Sequence, residues 1–206
     1  MLPIEDDILT NLFTFLITII GAIIGGAIAG KYSLMATQRA HENQKKIAEE
    51  NEAAIIKSLL QAIYDELETV YERYQETMGS KIESLDKNMP LNFYYPVISD
   101  FFTVYHGNSF LIGRIKDHDL RKGIIKTYTL AKGLMDSYRL NNDIVQKYEH
   151  WCLVSAETQL EVHRTQAAAY YQSLVAYAEV LKKLHDDLKI DLKSTTRMLN
   201  KAGVLS

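Results

Sequence analysis

The sequence predicts an all-α protein in three parts. These are an N-terminal segment with a transmembrane helix (1–30), a helical stalk (31–78) and a cytoplasmic helical domain (79–206). Three observations carry that expectation. Ile8 to Gly30 is 23 residues without a charge, and no Gly or Pro falls between Lys31 and Met78. The remainder is rich in Ala, Leu, Lys, Glu and Gln and holds no period-two alternation of useful length.

The charge-free run comes first. At about 1.5 Å per residue it reaches about 35 Å as a helix, against a bilayer core of about 30 Å. A secretory signal would open on basic residues, whereas this chain opens with Glu5, Asp6 and Asp7. Thr10, Thr14 and Thr18 share one helix face, with Asn11 beside them, and the stripe continues into Ala22, Gly25 and Ala29. Phe13, Ile17, Ile20 and Ile24 form the opposite side. Gly21/Gly25 and Gly26/Gly30 are GxxxG pairs, a spacing that lets helix backbones approach closely in lipid. Thr10, Asn11, Thr14, Thr18, Gly21, Gly25 and Ala29 are therefore candidate oligomer-interface residues. In the sharper version of this expectation they line a pore, since Thr and Asn solvate water or ions without a buried charge.

Orientation follows from the flanks. The first basic residues are Lys31, Arg39, Lys45 and Lys46, so the positive-inside rule puts the C-terminal part in the cytoplasm. A single cysteine, Cys152, excludes an internal disulfide and fits a reducing compartment. All 23 basic residues follow Gly30, and that part of the chain is formally neutral. Partners must then be read from where charges sit.

The stalk is almost wholly polar from Thr37 to Glu52. Ile56, Leu60, Ile63, Leu67, Val70 and Tyr74 then recur at steps of four and three, a heptad seam of less than three repeats. It suits either a coiled coil between copies or packing against the chain's own domain. Glu42 to Glu76 holds nine acidic and four basic residues.

Gly79 to Pro96 is the main break, with Gly79, Ser80, Asp86, Asn88, Pro90 and Pro96 as turn formers. Pro96 is expected to open a short helix through Val97, Ile98, Phe101, Phe102, Val104 and Tyr105, ended by His106 to Ser109. Asp117 or Asp119 caps the next helix, which runs to about Tyr138 and is punctuated by Asn141, Asn142 and Asp143. A long stretch from Asp143 to Asp186 and a short last helix from Lys189 to Lys201 complete the expectation, with Ala202-Gly203 as the stop.

The chemistry-bearing motifs that would mark an enzyme do not occur. There is no GxxxxGK[ST] loop, no GxSxG elbow and no HxxxH or HExxH pair among the six histidines. Asp117-His118-Asp119 reads as a helix cap rather than a metal cluster. The expectation is a non-enzyme without cofactor or metal.

One polar constellation points to a ligand. Between Arg114 and Arg139 the cations Arg114, Lys116, Arg121, Lys122, Lys126, Lys132 and Arg139 outnumber Asp117, Asp119 and Asp136. On a helix, Arg121, Tyr128, Lys132 and Arg139 fall within roughly 20° of one line. Cations contact phosphates and an aromatic ring stacks on a base. Arg114, Lys116, Arg121, Tyr128, Lys132 and Arg139 are accordingly the candidate ligand residues. The competing use of the stripe is pairing with the acidic segment Glu49 to Glu76, within the chain or between chains.

The stretch from Phe93 to Tyr138, with Tyr105, Asn108, Gly113, Asp119-Leu120-Arg121 and Tyr128, resembles small bacterial single-pass helical membrane proteins. Some of these are similar to transmembrane effectors of anti-phage defence operons, the Hailong-type effector among them. The resemblance implies an inner-membrane homo-oligomer that permeabilises the membrane in response to a nucleotide or oligonucleotide signal made by an operon-encoded nucleotidyltransferase. The alternative expectation is a membrane-anchored scaffold that recruits a cytosolic partner.

Overall fold

The computed structural model describes residues 4–96 and 101–204. Among the described residues every regular element is helical, so the chain is all-α. Helix α1 spans Ile4–Tyr74 and passes into a π-helical turn, Gln75–Gly79, and a short helix α2, Ser80–Glu83. Two short helices follow, α3 (Thr103–Gly107) and α4 (Ser109–Ile112). Two helices of 41 residues each, α5 (His118–Thr158) and α6 (Glu161–Lys201), complete the fold. The chain divides into two compact units, 1–54 and 55–206.

In the first unit α1 is long and apolar enough to cross a membrane, and the apolar window is uncovered within the chain. Phe13, Ile17, Ile20 and Ile24 are all more than half exposed. The hydroxyls of Thr14 and Thr18 donate to the carbonyls of Thr10 and Thr14, at 2.8 Å each, which satisfies their protons inside the helix. A side chain at Gly21, Gly25, Gly26 or Gly30 would meet nothing within 4 Å.

In the second unit the heptad seam of α1 is buried in its own domain. Leu60, Ile63, Leu67 and Tyr74 belong to one core, with Ile56 and Val70 packed against it. Of the two uses the seam allowed, it serves intrachain packing. Two further seams complete the core. On α5, Leu120, Ile124, Thr127, Ala131, Leu134, Tyr138, Asn141 and Val145 are buried at steps of four and three. On α6, Leu174, Ala178, Leu181, His185, Leu188, Leu192, Thr195 and Leu199 repeat the pattern. The polar members pair across the helices: Thr127 Oγ1 meets Thr195 Oγ1 at 2.8 Å and Asp191 Oδ2 at 3.0 Å, and Lys126 bonds the other Asp191 oxygen.

Helix boundaries between 138 and 189 depart from the expectation. Asn141, Asn142 and Asp143 do not punctuate a helix; α5 runs through them. Their amides are committed elsewhere. Asn141 Nδ2 donates to Leu91 O (3.0 Å), while Asn142 accepts from Tyr95 N (3.0 Å) and donates to Tyr95 O (2.7 Å). The loop between α2 and α3 is thus clamped to α5 by side chains that elsewhere favour turns. The expected continuous stretch to Asp186 instead turns at Gln159-Leu160, and the expected separate last helix is the end of α6. Gln159 takes the left-handed conformation (φ 53°) that glycine usually supplies. Its own amide compensates, donating to Ala156 O (2.7 Å) and accepting from Arg164 (2.8 Å).

Asp117 caps α5 as expected, its carboxylate accepting from the backbone N–H of Asp119 and Leu120 at 3.0 Å. Of the short helix expected after Pro96, Val97 and Ile98 lie outside the described residues; His106 and Gly107 are inside α3, and α4 begins at Ser109.

Candidate functional site

The basic stripe of α5 divides when placed in three dimensions. Arg121 turns back on its own entry loop, donating to Ile115 O (2.5 Å) and contacting His118 Nδ1 (3.0 Å). Arg114 and Lys116 precede α5 on the exposed surface. Tyr128, Lys132 and Arg139 come together at a pocket of about 350 Å3 whose other walls include Phe101, Phe102, Tyr105 and His106. Lys132 is exposed and, among the described residues, has no ion-pair partner. Arg139 donates to Asp136 at 2.8 Å, an exposed pair of the modest kind that an incoming anion can replace.

Tyr128 does not present an open face. It is buried, its ring stacked on Tyr105 (centroids 4.0 Å, 24°) and met edge-on by Phe102 (5.0 Å, 90°). Its hydroxyl donates to Glu66 at 2.7 Å. Burial, followed by the Glu66 hydrogen bond, pushes the phenol pKa well up, so it remains a neutral donor. The rings available to a ligand are those of Phe101 and Tyr105, which are half-buried, and the exposed imidazole of His106. None of these three was among the candidates read from the stripe. Their signal in the sequence is the aromatic run Phe101-Phe102 followed by Tyr105-His106, which reads equally well as core.

The acidic segment of α1 reaches the site through one residue. Glu66 accepts from Val104 N (2.7 Å), Tyr105 N (3.1 Å) and the Tyr128 hydroxyl. The rest of the segment does not pair with Lys132 or Arg139 among the described residues.

A second polar cluster lies deeper in the bundle. His185 is buried between Tyr74 OH, 2.8 Å from Nδ1, and Glu83 Oε1, 3.1 Å from Nε2; Tyr74 OH also meets Tyr138 OH at 3.2 Å. Lys189 Nζ reaches the same Glu83 oxygen at 2.5 Å. Lys189, then His185, hold the Glu83 carboxyl at a pKa of about 2. An ionised carboxylate only accepts, so the Nε2 side of the ring donates to Glu83. Burial pushes the Tyr74 phenol pKa far up, and the Tyr138 contacts add to it. The cluster ties α1, α2, α5 and α6 together, with His185 buried and Glu83 and Lys189 reaching the surface. No group of three or more His, Cys, Asp or Glu arranged to hold a metal occurs among the described residues.

Compared with known proteins, the chain matches no family model, no curated protein and no solved structure.

Proposed function

We propose that this chain is an oligomeric, non-enzymatic inner-membrane effector. Its 8–30 run crosses the bilayer, its helical domain lies on the cytoplasmic side, and an anionic nucleotide or oligonucleotide bound to that domain gates permeabilisation. The observation that carries the reading is the meeting of Lys132 and Arg139 with the accessible rings of Phe101 and Tyr105 around one pocket, in a chain that also carries an uncovered apolar helix. A volume of about 350 Å3 lies at the small end of ligand pockets, which suits one nucleotide unit, free or within an oligomer. The phosphate goes to the cations, where it competes with Asp136 for Arg139, and the base goes to the rings. The resemblance to effectors of anti-phage defence operons supports the same reading, with a nucleotidyltransferase as the source of the signal. The exposed glycine and threonine side of the run, Thr14 and Gly25 above all, supplies the face on which copies meet.

Dye release from liposomes holding the purified protein tests this, with and without a trideoxyadenylate probe. The expected result is probe-dependent release that Lys132→Glu with Arg139→Glu removes while the helical signal of the domain stays intact. Release that ignores both the probe and the double variant, or no release under any condition, sinks it.

A scaffold reading is favoured by one observation. Leu153, Leu160 and Val162 are all more than half exposed at the turn between α5 and α6, where a partner protein would find apolar contact. It predicts that replacing 8–30 with an unrelated apolar helix preserves function, whereas the effector reading predicts loss.

A further inference from the structure

The aromatic wall of the pocket cannot hold its arrangement unaided. Helix α3 has five residues, too few to be stable alone. It starts from Phe102, which sits at φ 70°, a left-handed conformation costly for a residue with a side chain. No side chain at its own N-cap position satisfies its first N–H groups. The acceptor comes from another helix. Glu66, on α1, takes Val104 N and Thr103 Oγ1 on Oε1 (2.7 and 3.5 Å), and Tyr105 N and Tyr128 OH on Oε2 (3.1 and 2.7 Å). One carboxylate therefore holds the start of α3 and the buried tyrosine on which Tyr105 stacks. Phe102, Tyr105 and Tyr128, the three rings so fixed, all line the pocket.

The structure assigns Glu66 as the positioning residue of the pocket, the group that sets its aromatic wall and ties its occupancy to α1. This rests on the ligand reading above and adds a regulatory link to it. A ligand that stacks on Tyr105 favours one placement of α3, and that placement is stabilised only while Glu66 keeps its four donors. By thermodynamic reciprocity, whatever shifts α1 at Glu66 changes ligand affinity, and ligand binding biases α1. Helix α1 is the element that carries the apolar run.

Hydrogen exchange and probe binding on the full chain in lipid nanodiscs test the assignment. Three proteins are compared, namely the unaltered chain, Glu66→Gln, and Glu68→Gln as a control whose carboxylate accepts from the Tyr64 hydroxyl (3.1 Å), away from α3. A glutamine keeps one acceptor and replaces the other with a donor, so at least one of the α3 amides loses its partner. The expected result is exchange at Val104 and Tyr105 faster by about tenfold or more, with α5 and α6 protection unchanged. Affinity for trideoxyadenylate should fall by about fivefold or more, the lower end of usual coupling. Glu68→Gln should do neither. Probe binding that is unchanged in Glu66→Gln overturns the assignment, whether or not exchange rises. An unaltered chain that binds no probe overturns the ligand reading itself, and the assignment with it.

Discussion

Helix α1 carries two apolar stretches that share a backbone and differ in everything around it. Between residues 10 and 30 the large hydrophobic side chains form a broad face beside a narrow stripe of Thr, Ala and Gly, and none is covered. Between residues 56 and 74 they are confined to a seam at steps of three and four, and Ile63 and Leu67 are buried. A broad apolar face without cover suits an apolar surrounding, and a helix apolar along one stripe needs a neighbour. The same kind of side chain therefore has two uses, and it is the arrangement along the chain that separates them.

Charge insertion breaks that contrast most sharply. Ile20→Lys with Ile24→Lys places two ammonium groups in the run, at about 2.5–3.5 kcal/mol each near a bilayer centre. The double variant is expected to leave the membrane fraction on carbonate extraction while its domain keeps its helical circular dichroism. In the seam the direction reverses. Leu134 is wholly buried on α5, and Leu134→Ala should cost about 2–5 kcal/mol in urea unfolding without altering membrane retention.

The Glu83 cluster gives a smaller effect with a defined sign. Its carboxyl falls from an ordinary 4.5 to about 2 in the folded chain, through Lys189 first and His185 second. Its contribution is present above about pH 4.5 and is lost as pH falls through about 2. Glu83 is 37% exposed, so solvent screening limits the change to about 2–4 °C in melting temperature. Thermal melts from pH 7 to pH 2 should show this acid-side loss, and Glu83→Gln should flatten it. Least in magnitude is a pair of glycine changes. A Cβ at Gly123 would come 2.5 Å from Met198 Cε and 3.1 Å from Thr195 Oγ1, while one at Gly25 meets nothing. Gly123→Ala should lower domain stability by less than about 1 kcal/mol, since the Met198 methyl can swing aside and helix propensity offsets the crowding of Thr195, and Gly25→Ala should leave it unchanged.

Much of the architecture was legible in the sequence where one signal dominated. The charge-free run, the absence of breakers before Met78 and the Asp117 cap each rest on local chemistry. The seams of α5 and α6 were not legible as heptads, because Thr127, Asn141, His185 and Thr195 occupy core positions and hide the period. Each meets a partner far along the chain: Thr195 for Thr127, Tyr74 for His185 and the Leu91 carbonyl for the Asn141 Nδ2. The turn at Gln159 was hidden for a related reason, since a glutamine does there what a glycine normally does. At the pocket, Lys132 and Arg139 were visible as a stripe. Glu66 was one acid among nine in its segment, and nothing in its neighbours marks it as the residue that reaches across to Val104.

The distance between Tyr74 and His185, 111 positions along the chain, has a consequence for biosynthesis. At about 5–20 residues per second, the ribosome needs on the order of ten seconds to deliver the histidine after the tyrosine. The apolar run is synthesised before either residue. Leu60, Ile63 and Leu67 gain the α5 part of their core once residues 120–138 are made, and the α6 part only after residues 178–199. The core of residues 55–206 is thus closed by its latest-made helix, well after the apolar run has been synthesised.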